Sequence, residues 1–297
     1  MIVSDAPRLP RIVSEVWKPA LALFVWDVIV TVVYFVLPFK APSLPLTIFG
    51  SALALFLGFR VNSAYARWWE GRSLWGLMIN ASRNLARGTI SFIGTEDEGQ
   101  KRDLKRSIVL RHIAYVNALR CQLRRLDSKD EVHRLLSRDE AGEPLGRTNV
   151  ANGLLDGTGK RIAEARRRDW IDSIQQTSLE SVLIDIANAQ GGMERIKNTP
   201  LPVQYRFLPS LFTKLFCVVL PIGLVETLGI ATPLGSGLAG LMFLAVLQIG
   251  GDLADPFANT VHDLPLTAMC RTIEIDLLQA IGDPAPAPLT PEKGVLW

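Results

Sequence analysis

The sequence is poor in the residues on which disulfide-built and metal-dependent proteins rely. Only three cysteines occur in 297 residues. Cys121, Cys217 and Cys270 each stand alone, with no C-x-x-C pair and no histidine cluster nearby, which argues against a disulfide framework or a structural zinc site. Isolated thiols of this kind fit a reducing compartment or burial in a membrane. The three histidines, His112, His133 and His262, are distant in sequence and form no catalytic constellation. A phosphate loop is missing as well. In "GTGK", Gly157 to Lys160, the glycine required five positions before Gly159 is replaced by Leu154, and Arg161 stands where Ser or Thr is needed. Charge of one sign is not in excess either: 32 basic against 29 acidic residues leave a net charge of +3, too balanced to imply a nucleic-acid partner. No alternating strand pattern of useful length is present. Residues 1–20 lack the apolar core and small-residue cleavage site of a secretory leader. Neither an organic cofactor nor an enzyme's reactive cluster is expected.

Oil is what the sequence does have. Hydrophobic residues make up 48% of the chain and the mean hydropathy is +0.23. The excess collects in runs near both ends, while the middle is as charged as a soluble protein. Four runs have the character of bilayer spans: Ala20–Phe39, Leu44–Phe59, about Leu208–Ile230 and Pro233–Ile249. Asp27 interrupts the first, and a carboxylate there should face other helices or water rather than lipid. Gly235, Gly237 and Gly240 in the fourth would let another backbone approach closely. The connection between the first two runs carries only Lys40, and that between the last two carries no charge. Arg8, Arg11 and Lys18 precede the first run, and many basic residues follow the second. The short hairpins are therefore expected outside, with both termini and the middle in the cytoplasm.

The expected organisation is a cytosolic segment at 1–19, two spans within 20–59, a cytosolic helical domain at 60–207, two spans within 208–250, a cytosolic helical segment at 251–282 and a Pro-rich mobile tail at 283–297. In the middle, Leu104, Ile108, His112, Tyr115, Leu119 and Leu123 recur at helical spacing, opposite Lys101, Lys105, Arg106, Arg120 and Arg124. That basic face is expected to be solvated or to lie on the inner leaflet. Ile171, Ile174, Ser178, Val182, Asp185 and Ile186 mark a second helix. Between the two, Arg138 to Lys160 is rich in Gly, Asn and Asp and is expected to be a loop or broken connection.

The junction after the second run holds most of the functional information. "GFRVNSAYARWWEGR", Gly58 to Arg72, passes from hydrocarbon to charge within one residue. Ser51, Leu55 and Phe59, at i, i+4 and i+8, share one helix face. In a single chain such a face would pack on other helices. In a ring of chains it would line a hydrophobic constriction that can gate by dewetting. Arg60 and Arg67 are expected beyond it, in or near the cytoplasmic water.

These residues resemble the bestrophin family. The resemblance rests on "FLGFRVNSAYARWWEGRSLWG" (Phe56 to Gly76), "GGMERIKNTPLP" (Gly191 to Pro202) before the third run, and "DPFANTVHDLPL" (Asp255 to Leu266) after the fourth. It implies an all-α membrane protein with four spans and a large helical cytosolic domain, assembled as a homopentamer around a central pore in the cell's inner membrane. It implies a pore neck at Ser51, Leu55 and Phe59 and a cytosolic aperture at Ile174. The implied partners are other copies of the chain, the bilayer and the permeant ions. Eukaryotic members pass chloride and other small anions, while some bacterial relatives prefer monovalent cations such as sodium. Ser51 stands where the family commonly has a larger aliphatic residue. The acidic run that binds calcium in eukaryotic members is reduced here to Asp252 and Asp255, a possible cation-binding remnant, where calcium wants six or more oxygens. The expected function is passive anion conduction. A cation channel is the alternative, and a membrane-anchored interaction protein is a more distant one.

Overall fold

The computed structural model describes residue 1 and residues 9–37, 40, 42–94 and 97–297, with the side chains of residues 9–16 outside that description. Most of the 1–19 segment and the last two residues of the first apolar run thus lie outside the described residues or side chains. The elements are α1 (Leu9–Val36), α2 (Leu46–Phe92), α3 (Glu98–Arg124), α4 (Lys129–His133), α5 (Arg138–Leu145), α6 (Val150–Arg167), α7 (Ser173–Asn198), α8 (Val203–Leu228), a 3-10 turn at Gly229–Ala231, α9 (Thr232–Asp252) and α10 (Leu266–Ala280). Among the described residues there is no strand, only an isolated bridge between Glu292 and Val295. The chain is all-α.

Two compact units result. One holds α1, the first half of α2, α8 and α9; the other holds Trp69–Thr199, Pro256–Trp297 and Met1. In the first unit α1 packs on α9 and α8, and these two pack on each other. Leu53 and Leu57 of α2 meet Phe216 and Leu220 of α8. Among the described residues, three segments are long and apolar enough to cross a membrane, Trp17–Val36, Leu46–Phe92 and Val203–Asp252; the last comprises α8, the 3-10 turn and α9. α2 is one unbroken helix of 47 residues, roughly 70 Å long at 1.5 Å per residue, more than twice the ~30 Å hydrocarbon thickness. It carries neither proline nor a glycine pair to stop it where the oil ends.

Asp27 is 1% exposed and turns inward, as its cost against lipid requires. The Ser236 hydroxyl of α9 donates to its Oδ1 at 3.1 Å. Gly237 lies against Phe24 and Asp27, and Gly240 against Leu23 and Cys217, so these two glycines do face neighbouring helices. Indole Nε1 of Trp26 donates to the Val218 carbonyl at 2.9 Å.

In the second unit α3 is central, with Ile108, Ile113, Val116, Leu119 and Leu123 all buried. Asp97 caps its start, accepting from the Gly99 and Gln100 amides. The basic residues opposite the apolar row are mostly engaged within the unit. Lys105 donates to the Ile90 carbonyl at 2.7 Å, Arg106 pairs with Asp283 at 2.8 Å, Arg120 pairs with Glu131 and Arg124 donates to Thr267 at 2.8 Å.

Two expectations are corrected. Arg138 to Lys160 is not a loop: it holds α5 and most of α6. Asn149, which read as a turn residue, is a helix cap accepting from the Asn152 amide, and Ser137, just before the stretch, caps α5 by accepting from the Glu140 amide. The glycines that read as breakers face inward because a neighbour comes close. A Cβ on Gly153 would sit 3.1 Å from the Pro144 Cα of α5 and 2.9 Å from Arg147 Cδ. Gly157 carries the Arg111 guanidinium, with Nη1 2.6 Å from where its Cβ would be, so "GTGK" is a packing feature. The tail at 283–297 is not loose at its end, since the Ala268 amide donates to the Trp297 carbonyl at 2.7 Å and Val295 is buried.

Because main chain cannot yield as a side-chain tip can, Gly153→Ala is expected to destabilise. Overpacking costs about 1–3 kcal/mol, against a helix-propensity gain of up to about 1 kcal/mol. A fall of a few degrees in the melting temperature of the solubilised protein is the expected readout, and an unchanged or raised value would refute the close packing.

Candidate functional site

α2 has two faces in the membrane unit. Leu53 (5% exposed), Leu57 (1%), Arg60 (8%) and Ala64 (0%) recur at steps of four, three and four and form the covered face. Ser51, Leu55 and Phe59 lie about 200° away, and the chain leaves them uncovered, with Leu55 61% and Phe59 58% exposed. The Ser51 hydroxyl donates to the Thr47 carbonyl at 2.7 Å, which occupies its proton and lowers the polarity the residue presents outward. The exposed row continues past Phe59 as Asn62 and Ala66. An apolar side chain of this size, exposed in one copy, must meet lipid, another copy or an ion path.

In the other unit, Ile174 is 79% exposed in the first turn of α7. That turn is fixed by a capping box: Asp172 accepts from the Gln175 amide at 2.7 Å, and Gln175 Oε1 accepts from the Asp172 amide at 2.9 Å. The exposed isoleucine thus sits on rigid backbone.

Asp252 closes α9 and accepts from Gln248 Nε2 at 2.8 Å. Asp255 is half-buried three residues on. Among the described residues, no group of three His, Cys, Asp or Glu side chains is gathered so as to hold a metal. Two carboxylates, one already sharing an oxygen with an amide, do not make up the donor set calcium requires, and no step here runs through calcium.

Arg60 is where the sequence misled most. It is not in water but inserted against α9, its Nη1 donating to the Leu247 carbonyl at 3.1 Å. Arg67 Nε donates to the Ala254 carbonyl at 3.1 Å. The signal for Arg60 was available, since it continues the row of Leu53 and Leu57 and precedes Ala64 by four residues.

The second unit keeps its ionisable groups structural. His112 is stacked on Tyr115 with ring centroids 5.3 Å apart, and burial pushes it down to about 3. Tyr115 donates to Gln190 at 2.9 Å, while Gln122, Asn149 and Gln190 all donate to Glu194 Oε1. Burial pushes the Cys270 thiol up to about 12, leaving it unreactive at neutral pH.

Residues 9–279 match the family model described as Bacterial/Fungal Bestrophin protein. A voltage-dependent anion channel-forming protein of Mesorhizobium japonicum is 36% identical over 249 residues, covering 84% of this chain and 78% of the relative. The voltage-dependent anion channel-forming protein YneE of Escherichia coli K12 is 36% identical over 251 residues, covering 84% and 80%. The crystal structure of a bacterial bestrophin homolog from Klebsiella pneumoniae superposes with a TM-score of 0.85 at 32% identity, covering 90% of this chain and 99% of that one. The chain belongs to the bacterial and fungal bestrophin family.

Proposed function

We propose that the protein is a passive anion channel, not an enzyme, formed by five copies around a common axis in the inner membrane. α1, the first part of α2, α8 and α9 would each cross once, with both termini in the cytoplasm. The observation that carries this reading is the row of Ser51, Leu55 and Phe59, which the chain leaves bare on the face opposite its own packing. Around an axis, rings of Leu55 and Phe59 make a dry neck that an ion passes only when the constriction wets, and Ile174 makes a second apolar aperture. Such rings present no charge of their own, so selectivity must come from fixed charges and helix ends nearby. The anion assignment is supported by the relatives named as anion channel-forming proteins. Sodium conduction is the alternative, and a tether for a cytosolic interaction domain is the reading without transport.

The test is the reversal potential of purified protein in planar bilayers across a sodium chloride gradient. A potential on the chloride side of zero is expected. One on the sodium side would overturn the anion assignment, and absence of flux would overturn the channel.

A further inference from the structure

Arg60 directly follows Phe59 and is 8% exposed. Its guanidinium lies against the last turn of α9. Nη1 donates to the Leu247 carbonyl at 3.1 Å, the Arg60 stem passes 3.6 Å from where a Gly250 Cβ would be, and Nη2 lies 3.8 Å from the corresponding point on Gly251. The side chain thus lies in ordinary van der Waals contact with the glycine pair, and a Cβ on Gly250 would crowd only the neighbouring Val61 Cγ2, at 3.3 Å. α9 ends at Asp252, so the guanidinium, beside Gly250 and Gly251 of its last turn, sits where the negative end of the helix dipole favours a cation. Its hydrogen-bond partner is a carbonyl, and among the described residues no carboxylate forms an ion pair with it.

A buried guanidinium without a counter-charge is costly, and in an apolar segment such a residue marks a site of function. Here it is one helical step from the neck row and level with its inner end. In poorly polarisable surroundings its field reaches further than it would in water. We propose that Arg60 is a selectivity-determining residue: held against α9, its unneutralised charge sets a positive potential at the inner end of the Phe59 constriction and favours small anions over cations there. This rests on the neck assignment above and adds to it, because the neck itself carries no charge. Arg60 acts through the field and touches no ion.

Two substitutions remove the charge by different routes. Arg60→Gln deletes it. Gly251→Asp leaves the guanidinium in place and sets a carboxylate beside Nη2. Arg60→Lys and Gly251→Ser are the controls for charge and for volume. In bilayer recordings of the full chain, Arg60→Gln and Gly251→Asp are each expected to shift the anion-to-cation permeability ratio toward cations by about tenfold, with both controls within about twofold of the wild type. The shift is read relative to the wild type, whatever its sign. Should Arg60→Gln fail to assemble on size exclusion, Gly251→Asp decides alone. Wild-type flux with an unshifted Gly251→Asp overturns the role of Arg60 and leaves the channel standing, as does a shift in Arg60→Lys equal to that of Arg60→Gln. A wild type that passes no ions overturns both.

Discussion

Truncating Leu55 or Phe59 to alanine is expected to raise single-channel conductance severalfold, or to hold the channel open where the wild type rests closed. Each substitution removes hydrocarbon from every copy around the axis at once, widening the constriction and lowering the cost of wetting it. The change should be nearly free of folding cost. Leu55 is 61% and Phe59 58% exposed within the chain, so neither loses many intramolecular contacts. Leu57→Ala is the matched control. Two residues from each and 1% exposed, Leu57 is packed with Leu53, Phe216 and Leu220, and its truncation should cost about 2–5 kcal/mol of stability without opening the neck. Currents from Leu55→Ala and Phe59→Ala that match the wild type, or a rise in Leu57→Ala instead, would place the ion path elsewhere. Ile174→Ala, on the exposed first turn of α7, separates the two proposed constrictions: its effect should add to that of the neck.

The contrast between Leu55 and Leu57 also shows what the residues disclose by themselves. A helical period over 46–64 is legible, because an apolar row at i, i+4 and i+8 needs no more than the geometry of the helix. Which of two opposite apolar rows the chain covers is not legible, because both consist of hydrocarbon and the covering residues, Phe216 and Leu220, lie more than 150 positions away. Arg60 was misplaced for a related reason. A charge just past an oily run reads as the water boundary, yet here α2 continues without a break and the covered face continues with it. Between 138 and 160, short-range signals pointed the wrong way. Asn149 caps a helix with the same side-chain chemistry that makes turns, and Gly153 and Gly157 serve close contacts with Pro144 and Arg111 that no local pattern announces. The three motifs at 56–76, 191–202 and 255–266 carried the family; the neck and aperture assignments came with it, and the exposure of their side chains came only with the fold.

Acid should weaken the wild-type protein more than a His112→Gln variant. Ser82 Oγ donates to the Met78 carbonyl at 2.7 Å, so at the 2.8 Å contact with His112 Nε2 the ring must be the donor. Nδ1 is then a bare acceptor, fully buried and without a partner, and protonating it would place a charged N–H against apolar core. Burial accordingly pushes His112 down from 6.5 to about 3. The folded value lies below the unfolded one, so between these limits the unfolded chain binds the proton that the folded chain refuses. Stability is fully present above pH 6.5. It declines by about 1.4 kcal/mol per pH unit as the pH falls toward 3, and is flat below. From pH 6.5 to 5 the His112 contribution is a loss of about 2 kcal/mol. Glutamine keeps an N–H for Ser82 and takes up no proton, so thermal unfolding of solubilised His112→Gln should lose correspondingly less over that interval. Identical acid slopes for the two proteins would show that His112 accepts its proton inside the folded unit, through a rearrangement of α2 and α3 that brings Nδ1 to an acceptor.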